Sequence, residues 1–512
     1  MKKIISVLII AMFLTGIAFS QEVLWKRSEN VNDIQSGTFL GTDANNNIYV
    51  GAVGNTGLYV IKYDQNGMSQ FIAGVDTARY SCGMIVTPDG KSFLAGGRDQ
   101  TPNGRDGALL AYESNGTVIY NQYYNFADKI DNFQDLFVDD NEYAYITGTA
   151  RDAIETYALT IKYSPSGAPQ WIQHYGKTLD LYNGLRISVS ASGDVYVTGK
   201  VLVNSTQTWD VFVLKYDASG NLIFDIQFNI GGYKECIPAF ALLDDDGNLY
   251  VGGRLATNLD YAGFVIKLDD GNLMWTKIIT GLNNNGATIL DAAFDFEGNI
   301  IIAGGYHDPR DGYYAKISPP GDFIFEKTYN GTANDMDAFI KVITKDDYIY
   351  MSGITTGIGT LMDYLILKAD ANGEKVWEAH YNGSQYQNDV PYDITLDNDD
   401  KVIVTGASSE QGGLHCTTIK FSNSLGIQED DISGIKTLQV YPNPASSMLY
   451  IDYLPDNKDA EYTISDISGR ILSTGILNNS NQGIDIAKYS NGIYLISIND
   501  GSKYFNVKFV KN

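Results

Sequence analysis

Five basic residues stand at one recurring place in this chain. Arg98, Arg151, Lys200, Arg254 and His307 each lie one to three residues past a glycine that ends a short apolar run. A guanidinium presents a planar fork that grips a carboxylate at two points. The series therefore has the chemistry to hold an anionic ligand, such as an acidic sugar, on one face of the molecule. Each member also has an aspartate close by: Asp106, Asp152, Asp210, Asp260 and Asp311. Pairing with these neighbours would leave no net positive field. Sequence alone leaves both readings open.

Other reactive residue types are sparse. The histidines are His174, His307, His380 and His415, and no two have metal-ligand spacing. His174 and His380 each follow a tryptophan by three residues, which marks a repeated structural position. There is no nucleophile elbow, no HExxH and no phosphate loop. Tyr306-His307 with Arg254 supplies the one set of residue types suited to a lyase. Acidic turns recur at 139–142, 244–247, 346–347 and 397–400. They offer the oxygens calcium needs, yet Asp, Asn and Gly also dominate ordinary turns, and none has the terminal Glu of an EF-hand. No cofactor is expected, with one calcium ion in an acidic turn as the exception left open. Cys82, Cys236 and Cys416 are scattered and odd in number, so they read as buried apolar residues and not as a disulfide framework or a zinc site.

The elements that carry these residues repeat. Ile48-Tyr49-Val50-Gly51 returns as Tyr145-Ile146-Thr147-Gly148, Val195–Gly199, Leu249–Gly252, Ile300–Gly304, Ile349–Gly353 and Val402–Gly406, with a weaker copy at Ser92–Gly96. A second element follows each, as in Val60-Ile61-Lys62-Tyr63 or Thr160-Ile161-Lys162-Tyr163, with Ala111 at the Lys position of the second copy. Then come a glycine turn and an aromatic residue: Phe71, Tyr120, Trp171, Phe224, Trp275, Phe325 or Trp377. The repeated Lys lies at the same strand end as the acidic turns, which predicts a Lys–carboxylate pair in each unit. In the sixth copy the pattern predicts strands at 291–296, 299–303, 313–318 and 323–328. Four short strands per repeat of about 50 residues is the mark of a propeller blade.

The ends fit a closed ring. The eighth copy stops near Phe421 without a fourth strand or an aromatic, and the chain begins with an orphan strand at 23–26 that holds Trp25. Joining the two removes the open sheet edge. The expected fold is all-β: an eight-bladed β-propeller with four-stranded blades over 21–421, then a polar linker at 422–434, then a small β-sandwich over 435–512. The repeat pattern resembles the SBBP-type bacterial β-propeller family.

Composition agrees with this class. The 36 Tyr and 52 Gly favour strands and tight turns, and the net charge of −25 argues against nucleic acid and anionic membranes as partners. Lys2 and Lys3, an apolar run from Ile4 to Phe13 and the small residues Ala18 and Ser20 read as a signal peptide over 1–20, cut between Ser20 and Gln21. No other segment is apolar enough to span a bilayer.

The last residues carry four further motifs in order: Tyr441-Pro442-Asn443-Pro444, Asp466-Ile467-Ser468-Gly469-Arg470, Gly492-Ile493-Tyr494, and a basic final strand with Lys508 and Lys511. Together they resemble the type A C-terminal sorting domain of the type IX secretion system of Bacteroidetes. That resemblance implies an Ig-like sandwich read by the export machinery at the outer membrane. It implies a protein released or held at the cell surface after passage through the periplasm. The expected function is a glycan- or protein-binding module without catalysis. A channel-based polysaccharide lyase or hydrolase is the alternative, and a structural surface spacer the third reading.

Overall fold

The computed structural model describes residues 21–100, 104–257, 261–281, 286–306, 310–425, 439–452, 460–466, 470–477, 483–499 and 504–512. The chain forms two compact units, one of them residues 21–425. The signal-peptide residues 1–20, His307, Asp260, Gly469 and most of the expected linker lie outside the described residues.

Residues 21–425 form a β-propeller. Seven runs of four consecutive antiparallel strands span 34–75, 78–124, 132–175, 181–228, 235–279, 287–329 and 338–381. Single parallel bridges, Thr156 to Leu181 and Trp209 to Glu235, join the third, fourth and fifth runs. An eighth group combines Val390–Leu396, Val402–Glu410 and Gly413–Leu425 with Gln21–Glu29 from the start of the unit. Each innermost strand packs on that of the next sheet, and the eighth sheet packs on the first, so the ring is closed. The third strand of the eighth sheet runs to Leu425, past the boundary expected at 421.

Turn chemistry sets the strand lengths. Asp43 Oδ1 accepts from the backbone N–H of Asn45 at 2.9 Å and of Asn47 at 3.0 Å. Asp64, Asp139, Asp217, Asp244, Asp295, Asp370 and Asp397 close their own turns in the same way. The acidic turns thus spend carboxylate oxygens on their own backbone. In the sixth sheet the two middle strands, Ile300–Tyr306 and Gly312–Ile317, are buried throughout, because sheets cover them on both sides. Its inner strand, Ala287–Phe294, starts four residues before the predicted one, since a bulge between Ile289 and Asp291 breaks the apolar alternation.

Two contacts repeat around the ring. The first is the Lys–carboxylate pair, found in five sheets at 2.6–3.8 Å: Lys62–Asp43, Lys215–Asp194, Lys267–Asp244, Lys316–Asp295 and Lys420–Asp397. In three of these the ammonium also sits over the tyrosine directly across the sheet: Tyr49, Tyr196 or Tyr250. Where that position is Ile301 or Ile403, the pairs are tighter, at 2.8 and 2.6 Å. In the second contact, the outer-strand aromatic of one sheet lies on the turn glycine of the next. A Cβ at Gly67, Gly116, Gly167, Gly220, Gly271, Gly321 or Gly373 would come 2.6–3.1 Å from Trp25, Phe71, Tyr120, Trp171, Phe224, Trp275 or Phe325, respectively. Trp25, from the N-terminal strand, therefore takes the eighth sheet's place in the series. The eighth sheet's third and fourth strands come from opposite ends of the unit and share no turn, and the buried Trp377 indole N–H finds no partner among the described residues.

Charged side chains meet on the ring axis. All eight inner strands carry a bulge at one place. The residue after it is Asp135, Arg186, Asp291, Lys341 or Asp393 in five of them. Lys341 feels Asp291, Asp393, Arg186 and Asp135 together, which places both sides of the ring around it. Several of these groups also tie one inner strand to the next. Asp135 Oδ2 accepts from Ile187 N–H at 2.9 Å, Asp291 Oδ2 from Val342 N–H at 3.0 Å and Asp393 Oδ2 from Leu40 N–H at 2.7 Å. Burial pushes Asp393 up to about 6, against the opposing pull of Lys341 and the two N–H donors.

The C-terminal unit is smaller. Gln439–Tyr441, Met448–Asp452 and Gly483–Asp485 form one sheet; Ile471–Leu477, Ala460–Asp466, Gly492–Asn499 and Tyr504–Lys511 form a second. A single apolar cluster with Leu449, Ile464, Ile496 and Phe509 serves both.

Two measurements check this account. Gly220 and Gly247 have the same left-handed backbone, φ 85° and 84°, but only Gly220 meets a neighbouring sheet. Gly247→Ala should cost about 1–2 kcal/mol from backbone strain alone. Gly220→Ala should cost roughly 1–3 kcal/mol more from overpacking against Trp171, read as the difference in denaturant midpoint. Equal losses would remove the glycine contact from the account. For Asp393, a folded pKa above the unfolded value of 3.8 means that ionisation opposes folding at neutral pH. That penalty, up to about 3 kcal/mol, is relieved as pH falls through about 6 and gone below 3.8. Asp393→Asn should flatten the pH dependence of stability between pH 7 and 4 relative to the native chain; an unaltered profile would refute the shift.

Candidate functional site

Arg98, Arg151, Lys200 and Arg254 of the basic series sit at or near the ends of second strands, where loops of different length leave one face of the ring. Arg98 ends near Gln100 in Ser92–Gln100 and donates from Nη2 to Asp106 at 3.0 Å. Its guanidinium lies 4.0 Å from the centre of the Tyr123 ring, and Asp106 is buried. Here the neighbouring aspartate is the partner. Arg151 is exposed and donates from Nε to Thr156 Oγ1 at 3.2 Å; Asp152 instead closes its own turn and accepts from Tyr157.

Lys200 and Arg254 come together. The Lys200 ammonium lies 4.5 Å from the Trp209 ring centre, and Asp210 is taken by Thr208, Gln227 and Asn229. Arg254 Nη2 reaches Glu235 Oε2 at 3.4 Å, a half-exposed pair. Burial lowers the Lys200 pKa; Glu235 opposes that effect and Arg254 adds to it. The structure thus gathers two of the five basic residues, with one glutamate and one tryptophan, between the fourth and fifth sheets. Arg98 and Arg151 stand apart in the second and third.

The remaining candidates have packing partners. His174 Nε2 is 2.5 Å from Tyr124 Oη and its ring stacks on Phe126. His380 Nε2 is 3.2 Å from Tyr329 Oη. This shared Tyr–His contact between successive outer strands explains why both histidines follow a tryptophan by three. Tyr306 is buried against Tyr313. Among the described residues no three His, Cys, Asp or Glu side chains converge on a metal-sized site, and all three cysteines are free. Sequence reading missed the axial charges, although they left a trace: Asp135 and Arg186, like Asp291, Lys341 and Asp393, recur at the repeat spacing inside otherwise apolar strands.

The C-terminal motifs each hold a specific joint. Asn443 accepts from Val510 N–H at 2.9 Å and donates to the Lys508 carbonyl at 3.2 Å, which clamps the last strand. Pro442 and Pro444 flank it, exposed. Asp466, at the end of one strand, accepts from Arg470 N–H and Nε, both at 3.1 Å, just before the next strand begins at Ile471. Tyr494, two residues past Gly492, donates to the Ser490 carbonyl at 2.7 Å and stacks on Phe509. Lys511 is buried, whereas Lys508 and Arg470 face solvent. No helix among the described residues is long and apolar enough to cross a membrane.

Comparison with known proteins bears on this end of the chain. Residues 439–512 match the family model described as secretion system C-terminal sorting domain. No curated protein matches the chain. Three solved structures are similar to about two thirds of the chain. Dihydro-heme d1 dehydrogenase NirN has a TM-score of 0.45 and 13% identity over 68% of this chain and 67% of that one. Polysaccharide lyase Uly1 has 0.44 and 11% over 65% and 90%. The β-propeller domain of the Trilobed protease from Pyrococcus furiosus has 0.39 and 9% over 66% and 96%. The C-terminal unit is a type IX secretion sorting domain, which engages that machinery and directs the protein to the outer surface or beyond it.

Proposed function

We propose that this is a Bacteroidetes-type, surface-exposed or released eight-bladed propeller of SBBP-type repeats, delivered by an Ig-like sorting domain behind a cleaved signal peptide. Its role is to bind a glycan or an extracellular protein without catalysis or cofactor. The observation that carries the reading is the sorting domain at 439–512 attached to a ring closed by its own N-terminal strand. A closed ring with variable loops on one face is a rigid frame for recognition. Packing of His174 and His380 against tyrosines supports binding over chemistry. On this reading Lys200 and Arg254 are the cations available to an anionic group, and Arg98 is a stabilising residue.

Charge reversal separates these roles. Arg98→Glu leaves Asp106 buried beside a like charge and should cost roughly 3–5 kcal/mol of stability. Arg254→Glu should leave the unfolding midpoint nearly unchanged and weaken any acidic ligand found on a glycan array by tenfold, about 1.4 kcal/mol. The reverse pattern would exchange the two assignments. Export is tested separately. A chain ending at Ile432 should accumulate in the periplasm with its signal peptide removed, because a folded ring needs a machine that reads a folded tag. Normal release of that chain would overturn the export reading.

A further inference from the structure

Two connections between neighbouring sheets are built on one plan. Residues 330–337, Asn-Gly-Thr-Ala-Asn-Asp-Met-Asp, lead from the sixth sheet to the seventh. Residues 382–389, Asn-Gly-Ser-Gln-Tyr-Gln-Asn-Asp, lead from the seventh to the eighth. In each, the final buried aspartate accepts from the glycine N–H at 2.7 Å: Asp337 from Gly331, Asp389 from Gly383. In each, the residue three past the glycine donates its N–H to the glycine carbonyl at 3.3 Å and adopts a left-handed backbone, Asn334 at φ 53° and Tyr386 at φ 54°. Asparagine suits that conformation because its short amide bonds locally; Asn334 Oδ1 accepts from Asn330 at 2.7 Å. A bulky residue there is an outlier. Tyr386 has replaced the residue the turn favours, and its side chain is 67% exposed.

The neighbours hold this turn firmly. Ser384 N–H donates to Glu410 at 3.3 Å, Gln385 N–H to the Ser409 carbonyl at 3.2 Å, and Gln411 N–H to Ser384 Oγ at 3.1 Å. Asp389 also accepts from Ser409 N–H at 2.7 Å. The tyrosine is therefore displayed on a braced support. Around it the surface is amide-rich and uncharged. Gln385, Gln387, Asn388 and Gln411 are exposed, and Gln387 stands where the matching connection carries Asp335. The carboxylates beside it are buried and engaged: Asp389 accepts from Gly383 and Ser409 N–H, and Glu410 is tied to Lys26 and Tyr381.

We propose that this surface is a binding site for an uncharged polysaccharide, with the Tyr386 ring as a stacking platform and the four amides as hydrogen-bonding groups. The proposal deepens the binding reading above and rests on it. An aromatic face offers an apolar body with a polar tip, which suits the C–H face of a sugar ring. Amides both donate and accept, which suits neutral hydroxyls. A protein of net charge −25 repels acidic polymers, and Lys26 beside this patch is already paired with Glu410 at 3.2 Å. A protein interface would need a continuous apolar centre, and the residues exposed around Tyr386 in its own connection, Ser384, Gln385, Gln387 and Asn388, are polar.

The test is affinity electrophoresis of the full chain from Gln21 through gels that hold starch, laminarin, xylan or galactomannan, with alginate and polygalacturonate as charged counterparts. At least one uncharged polymer should retard the protein. Tyr386→Asn, which installs the residue of the matching turn, should raise the apparent Kd tenfold or more without lowering the unfolding midpoint. Gln387→Asp should weaken retardation as well. No retardation by uncharged polymers, or retardation unchanged in Tyr386→Asn, would overturn the site. So would a dimer in light scattering that Tyr386→Asn dissolves, since the patch would then join two copies. Retardation by charged polymers alone, lost in Arg254→Glu, overturns this site and keeps the wider binding reading; silence across both gels and a glycan array ends both.

Discussion

A sheet in a ring must be covered on two faces by its neighbours, and the contact that does this around the ring is an aromatic side chain lying on a turn glycine. The geometry leaves no slack. Any side chain at the glycine would enter the ring of the aromatic. The glycines also take a left-handed backbone, so one residue meets a conformational demand and a spatial one together. Tryptophan adds a directional bond: Trp25, Trp171 and Trp275 donate to turn carbonyls at 3.0–3.3 Å. Spacing between sheets, and so the position of each loop that leaves them, follows from these contacts.

The Lys–carboxylate pairs work inside the sheets. Lys316 and Asp295 are both about 6% exposed, and Lys420 and Asp397 are 4% and 1%. Buried pairs differ from surface pairs: desolvation offsets much of the attraction, and loss of one partner strands the other. Their role is better described as fixing register than as adding stability. The tyrosine across the sheet also bonds the turn aspartate: Tyr49 donates to Asp43, the partner of Lys62, and Tyr145 donates to Asp139.

Much of this was legible in the sequence. The repeat of apolar run, Gly, Lys and aromatic marked the sheets, and the orphan strand with Trp25 pointed to the seam. Length and composition rules work well when each unit obeys the same physics. What escaped was position in the third dimension. Nothing within one repeat marks Asp393 and Lys341 as neighbours; the inner strands bring them together. Lys200 and Arg254 read as members of an equal series until Glu235 drew those two together. The C-terminal motifs were the opposite case, because Asn443, Asp466 and Arg470 each act on residues near them in the fold and their pattern is specific.

The seam has a consequence for the order in which the molecule is made. Seven sheets are each drawn from a contiguous stretch, so each can assemble as soon as that stretch has emerged. The eighth pairs Glu29 with Cys416 and Lys26 with Ile419, residues from opposite ends of the unit. Its outer strand is the first to leave the ribosome and the last to find a partner. Loop-closure entropy makes such distant pairings slow. During that interval the nascent chain is an open arc with two unpaired edges, the kind of species that sticks to its own kind. That exposure ends only when the first strand of the unit is returned to its last, so the lifetime of the open arc is set by how quickly this one pairing forms.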